Sequence, residues 1–386
     1  MPNRSPDPLR GSTVVGRGDD RFEPLRARVR TLQRSGLQRQ LRPVDMIDET
    51  RAVVDGQHVA VFSSNDYLGL ARTPAVMEAW AGAAAGSARL IAGDRQAHHR
   101  LEAELARRHG MPVTLFSSGW HANLALYTTV LQPGDIVASD ALNHASTIDA
   151  LRLSKADRAI LPHGSTDLPG GCRLMAVEGL YSMDGDIPDL RAARAACDRA
   201  GAWLAVDEAH AVGALGPEGQ GAAALQGVAP DFLVGTLGKA YGAFGAYIAG
   251  PPILRELLVS AARTFIYTTG LPEPVAHAAL VAVRAADRDR RQRLSDNVAR
   301  LRTALRLAGI PALGDAHIVP VVLGPRTMDV AASLLRAGFL VPGIRAPTVP
   351  PGRERLRITV SSAHKAEQID GLVEALVAAL AQWTGC

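Results

Sequence analysis

Between residues 113 and 250, short continuous apolar runs alternate with segments rich in Ala, Leu and Arg. The runs are "VTLFSS" (113–118), "DIVASD" (135–140), "RLMAVEG" (173–179), "WLAVDEA" (203–209), "DFLVGT" (231–236) and "FGAYIAG" (244–250). Strands that are apolar on both faces and separated by helical patterns describe an α/β fold, with a mostly parallel sheet covered by helices on both sides. Upstream, residues 22–42 read as a basic helix. "HVAVFSSNDYLGL" (58–70) reads as a strand followed by a polar turn, with helices over 74–86 and 97–110. Downstream, a long helical stretch over 272–310 leads to a smaller α+β unit. Its expected strands are 317–324 and 355–362, and its expected helices 326–337 and 364–384. "VPGIRAPTVPPG" (341–352) reads as a loop, because its prolines sustain neither a ladder nor a helix. The expected organisation is an N-terminal arm and helix (1–50), a large domain (51–280) and a small C-terminal domain (281–386).

Composition removes several classes of function. A chain of 386 residues with 47% hydrophobic content can bury a sizeable core. No apolar run approaches the roughly 20 residues of a membrane span. The opening "MPNRSPDPLRGSTVVGRGDD" has no apolar signal-peptide centre, so the expected location is the cytoplasm, without membrane partners. Cys172, Cys197 and Cys386 are odd in number and widely spaced, which gives neither a disulfide framework nor a metal site. The net charge of +4 can help an anionic ligand approach, but it reads first as an arginine-rich surface and calls for no nucleic acid.

In open parallel sheets, ligands sit beyond the carboxyl ends of the strands. Polar residues cluster at those ends. Ser118, Gly119 and Trp120 follow the first run and open a helix, whose free amides suit a phosphate or simply make a turn. Asn143, His144 and Ser146 follow the second, with Ser146 also readable as a helix cap. Glu178 and Ser182 follow the third, beside the turn signal "MDGD". Asp207, Glu208 and His210 form "VDEAH" at the end of the fourth. That motif suits either the acidic box of a helicase-like ATPase or an aspartate holding a protonated ring nitrogen.

Lys239, in "VGTLGKAYGAFGAYIAG" (234–250), separates the two readings. A nucleotide-binding loop needs G-x-x-x-x-G-K-S/T, but Ala240 follows this lysine and Leu233 stands where the first glycine belongs. No G-x-G-x-x-G follows the first strand of a βαβ unit either, which removes a dinucleotide site. Only three of the 42 basic residues are lysines: Lys155, Lys239 and Lys365. A chain that uses arginine for plain charge and keeps a lysine among glycines points to an amine that attacks a carbonyl, as guanidinium does not. Pyridoxal 5′-phosphate needs such an amine, a carboxylate for its pyridine nitrogen and donors for its phosphate. Lys239 supplies the amine, Asp207 the carboxylate, Thr236 a hydroxyl, and Gly119 and Trp120 amides. The surrounding glycines are expected to be backbone that fits closely against the bound cofactor.

"SSNDYLGL", "NHAS", "EGLYSMDGD", "VDEAH", "TLGKAYG" and "APTVPPGRERLRIT" occur in this order across roughly residues 30–380. Together they resemble the α-oxoamine synthases, which join an amino acid to an acyl-CoA with loss of carbon dioxide. The resemblance implies a fold-type-I pyridoxal-phosphate transferase, with a mostly parallel seven-stranded sheet in the large domain, and a homodimer. It implies that Lys239 carries the cofactor and moves the α-proton. Asp207 would pair with the ring nitrogen, and His144 would stack on the ring and assist proton transfer. Ser182 and His210 would bond the ring's phenolic oxygen, while Thr236, Gly119 and Trp120 would hold the phosphate. Arg357 would bind the amino-acid carboxylate and Arg39 would meet the acyl substrate. Asn65 and Thr348 would line the substrate site.

"PTVPPGRERLRIT" and "SSNDYLGL" most resemble the members that condense L-alanine with a pimeloyl thioester. A glycine- or serine-using member and a non-catalytic partner subunit are the alternatives, and the retained Lys239, Asp207 and His144 argue against the second. Two features depart from the family pattern. The glycine-rich run "GSARLIAG" (86–93) is about two residues short, and Trp120 replaces a smaller aromatic.

Overall fold

A computed structural model describes residues 23–38, 41–79 and 84–382. The described residues before Asp45 and those from Asp45 onward form separate compact units. The first holds one helix, Glu23–Arg34, which buries none of its residues; Glu23 in its first turn pairs with Arg26 and Arg30. It is shorter than the expected 22–42, because the chain turns at Gly36 with φ +65°. Arg39, expected at the acyl substrate, lies outside the described residues, as does Cys386.

The second unit is built on seven strands: β1 (Val113–Phe116), β2 (Ile136–Asp140), β3 (Asp157–Leu161), β4 (Cys172–Glu178), β5 (Trp203–Asp207), β6 (Phe232–Thr236) and β7 (Ala246–Ala249). Their spatial order is β1-β7-β6-β5-β4-β2-β3. Only β7 runs antiparallel to its neighbours. The alternation of apolar runs therefore does encode a mostly parallel sheet. The edge strand β3, "DRAIL", was not among the expected runs. Four of its five residues are exposed or half-buried, so it lacks the apolar signature of the inner strands.

Strand alternation sends side chains to two packed layers. Leu204 and Val206 of β5, with Met175 and Val177 of β4, face one layer. Ala205, Leu174 and Ala176 face the other, against α1 (Gly119–Val130), which contributes Ala122, Ala125, Leu126 and Tyr127. Each fully buried Leu, Val or Phe stabilises the fold by about 1.5–3 kcal/mol.

Two smaller sheets complete the unit. Arg51–Val54 and Gln57–Val61 pair as a hairpin, and Gln57–Val61 also runs parallel to Phe339–Leu340. Ile318–Val322, Arg355–Thr359 and Gly343–Ile344 form the third sheet, with Arg355–Thr359 central. Gly343–Ile344 lies in the expected loop 341–352, where it runs antiparallel to Arg355–Leu356, with the Arg357 amide donating to the Pro342 carbonyl at 3.0 Å. The expected helix over 74–86 spans only Pro74–Glu78, residues 80–83 lie outside the described set, and 84–86 are irregular. The expected stretch 272–310 is two helices, Glu273–Ala285 and Arg288–Leu307. Asp287 starts the second by accepting the Arg290 amide at 2.8 Å.

Candidate active site

Three strand ends converge on the layer covered by α1. Glu178 shares the parity of Leu174 and Ala176, Asp207 that of Ala205, and Thr236 that of Phe232 and Val234. Glu178 and Asp207 are register partners on adjacent strands, so two carboxylates lie side by side, both buried. Burial pushes the Glu178 carboxyl well up, and the neighbouring Asp207 charge adds to the effect. Glu178 accepts the His144 amide at 2.5 Å. The residue after Asp207, Glu208, points the other way and accepts the amides of Ala222 and Ala223 at 2.9 and 2.8 Å. It is a structural carboxylate, which separates the roles of two adjacent acids in "VDEAH".

Asp207 is held by residues that the sequence reading missed. Asn123 of α1 donates to its Oδ2 at 2.8 Å and to the Ser146 hydroxyl at 2.9 Å, and the Ala209 amide meets its Oδ1 at 3.0 Å. Asn123 lies four residues after Gly119, on the same helix face, and its amide is buried. Ser146 also hydrogen-bonds His144 Nδ1 at 2.7 Å. The exposed indole of Trp120 meets the His144 ring edge-on, with centroids 6.1 Å apart. Ser118 caps α1 by accepting the His121 amide, and the space ahead of the Gly119 Cα is open to 4 Å. An anion can therefore approach the helix N-terminus closely.

Lys239 stands in the turn after β6. Burial, against the opposing pull of Asp207 and Glu178 and with a smaller push from the Arg357 charge, lowers its amine to about 8. Thr236, three residues earlier, donates its hydroxyl to the Gly245 carbonyl at 3.2 Å. Two of the neighbouring glycines are required by the protein's own packing, whereas a Cβ at Gly238, beside the lysine, would meet nothing closer than 3.6 Å. A Cβ at Gly235 would stand 2.2 Å from the Tyr247 ring. Gly242, at φ +60°, would meet the Ala71 amide at 2.3 Å.

A second cluster flanks this one. Arg357, buried in the middle of its strand, donates to the Ser182 carbonyl at 2.5 Å and to Asn65 Oδ1 at 3.3 Å. Tyr67, from the same loop as Asn65, contacts Asn65 at 3.0 Å and His210 Nδ1 at 2.8 Å. His210 feels the charges of Lys239, Arg357 and His144, which joins the two clusters. Burial and these cations hold its imidazole well below its usual value. Burial also lowers His144, partly offset by Asp207. Thr348 is exposed, and its amide donates to the Arg345 carbonyl at 3.0 Å, away from the hydrogen bonds that build the two clusters.

The shortened run 86–93 ends in one π-helical turn, Arg89–Gly93, with Gly93 packed against the Ser87 carbonyl. Arg89 pairs there with Asp94 and Glu102, and Glu102 also accepts the Leu115 amide of β1 at 3.2 Å, so the run is tied to the sheet.

A buried amine that titrates at about 8, a carboxylate fixed by an amide, a hydroxyl three residues before the amine and an open helix N-terminus suit a carbonyl compound that carries a basic ring nitrogen and a phosphate. Comparison with known proteins gives this donor set a context. Residues 57–376 match the family model of class I and II aminotransferases. The 8-amino-7-oxononanoate synthase of Anaeromyxobacter sp. (strain K) is 43% identical over 92% of this chain and 94% of its own length. This chain belongs to that aminotransferase family, in its α-oxoamine synthase branch. The solved serine palmitoyltransferase of S. paucimobilis, which holds a PLP–myriocin aldimine, superposes with a TM-score of 0.86 at 28% identity, covering 95% of this chain and 99% of that one. The 8-amino-7-oxononanoate synthase of Francisella tularensis superposes with a TM-score of 0.73 at 26% identity, covering 84% and 99%. The fold is that of a fold-type-I pyridoxal-phosphate transferase, built on the mostly parallel seven-stranded sheet described above.

Proposed function

We propose that this chain condenses L-alanine with a pimeloyl thioester, on coenzyme A or a carrier protein, to give 8-amino-7-oxononanoate, carbon dioxide and the free thiol, a step of biotin biosynthesis. Pyridoxal 5′-phosphate is its cofactor, and the working form is a cytoplasmic homodimer. The observation that carries the reading is the Lys239–Asp207–His144–Arg357 constellation in a chain 43% identical to a synthase of that name. No helix among the described residues is long and apolar enough to cross a membrane.

Lys239 would hold the cofactor, Asp207 would pair with its ring nitrogen, and Thr236, Gly119 and Trp120 would hold its phosphate. His144 would lie against its ring, and Ser182 and His210 would serve its phenolic oxygen. When bound, the cofactor supplies an electron sink for negative charge at the alanine Cα. Arg357 pairs with the alanine carboxylate, with Asn65 beside it, while Arg39 and Thr348 serve the acyl substrate and the rim of the site. Lys239, whose amine loses its proton around pH 8, takes the α-proton with His144 assisting. The Cα electron pair forms the C–C bond to the thioester carbonyl, and the C–S bond breaks to release thiolate. The bond from Cα to the carboxylate then breaks, carbon dioxide leaves, and a proton returns to Cα. Asn123 keeps Asp207 aimed throughout.

A glycine- or serine-using enzyme is the second reading; it draws on the TM-score of 0.86 to the serine palmitoyltransferase. Its 28% identity is outweighed by the 43% to the synthase. Thiol release from pimeloyl-CoA and palmitoyl-CoA with alanine, glycine or serine separates the two. The expected result is release that requires alanine and the pimeloyl thioester. Release with serine or glycine alone would move the chain to the second reading.

A further inference from the structure

Four side chains in the second cluster fix one another's hydrogen-bond direction, and the chain of logic ends inside the site. Arg357 can only donate, so the Asn65 atom it faces at 3.3 Å is the amide oxygen. The Tyr67 hydroxyl lies 3.0 Å from that same oxygen. An amide oxygen only accepts, so the one phenolic proton points to Asn65. Burial holds the Tyr67 phenol up at about 12, so that proton stays in place at working pH. The Tyr67 oxygen is then left as an acceptor, with the Arg357 charge nearby partly offsetting the effect of burial. Its remaining partner, His210 Nδ1 at 2.8 Å, has to be the donor.

Lys239, Arg357, His317 and His144 all disfavour a second proton on the His210 ring. A neutral imidazole has a single N–H, and Nδ1 holds it. Tyr67 is fully buried, and its ring packs 3.9 Å from that of His317. His317 Nε2 donates to the His210 carbonyl at 3.0 Å, which fixes the backbone that carries the ring.

We infer that Tyr67 is a positioning residue that sets the tautomer of His210, so that His210 meets its ligand through an unprotonated Nε2, as a hydrogen-bond acceptor. The tautomer follows from the chain's own residues. Only the identity of the ligand rests on the proposed function, under which His210 faces the cofactor's phenolic oxygen. At that contact the shared proton then belongs to the ligand's oxygen, and His210 does not act as a donor to an oxyanion.

Neutron diffraction from deuterium-exchanged crystals of the full-length holoenzyme reads the arrangement directly. The expected map has deuterium on His210 Nδ1, none on Nε2, and the Tyr67 deuteron directed at Asn65. Deuterium on Nε2 with a bare Nδ1 would overturn the inference. Nitrogen-15 spectra of histidine-labelled protein supply the second arm, with and without added pyridoxal 5′-phosphate. Without the Tyr67 acceptor, Tyr67→Phe is expected to move His210 from the Nδ1–H form toward the Nε2–H form. An unchanged His210 tautomer in this variant would show Tyr67 to be merely structural and refute the assignment. A protein that takes up no cofactor but shows the Nδ1–H form would refute the proposed function and leave the inference standing.

Discussion

Lys239 titrates where an amine can both hold and release a proton near neutrality, because burial outweighs the pull of Asp207 and Glu178. Only the unprotonated amine attacks a carbonyl. The rate at which cofactor-free protein gains visible absorbance from added pyridoxal 5′-phosphate is therefore expected to rise with pH up to about 8 and then level off. A pH-independent rate would contradict this assignment. Lys239→Arg keeps a positive charge but loses the nucleophile and base; turnover is expected to fall by at least about a thousandfold with an unchanged circular dichroism spectrum. Asn123→Ala removes a hydrogen bond to the Asp207 carboxylate that is worth about 1.5–3 kcal/mol, so kcat is expected to fall roughly 10- to 150-fold. Wild-type kcat in that variant would deny Asn123 its role. At this scale the sequence was legible where chemistry is rare: a lysine in an arginine-rich chain, or a carboxylate at an apolar strand end. Asn123 and Tyr67 were not legible as site residues, because each acts through a partner distant in sequence.

At the level of elements, period-two alternation decides which residues can meet. Glu178, Asp207 and Thr236 end their strands on the face toward α1, while Glu208, one residue on, is turned into the opposite layer. Local patterns revealed the inner strands and most helices. They did not reveal β3, an edge strand with little apolar content, or the break between the two helices at Asp287. That break carries its own prediction. Asp287→Ala is expected to cost about 1 kcal/mol, read as a lower denaturant midpoint with unchanged kcat. Gly242→Ala is expected to do more: its positive φ and the 2.3 Å approach to Ala71 force a shift of the turn that carries Lys239, so stability and activity fall together. A variant as stable and active as the parent would contradict that account of the turn.

Across the whole molecule, long-range pairing completes the site. Arg357 comes from a strand far along the chain and meets Asn65 and Ser182, and Gln57–Val61 pairs with Phe339–Leu340. No local periodicity encodes those partnerships; the ordered set of motifs put Arg357 and Asn65 at one substrate site but gave no sign of the strand pairing. The same ordered set makes one lysine among three the centre of the account. Borohydride reduction of the full-length protein after incubation with pyridoxal 5′-phosphate, followed by peptide mass mapping, tests that claim most directly. The phosphopyridoxyl mass is expected on the peptide containing Lys239, in near-stoichiometric yield, with Lys155 and Lys365 unmodified. Label on Lys155 or Lys365 instead, or on no lysine at all, would contradict it.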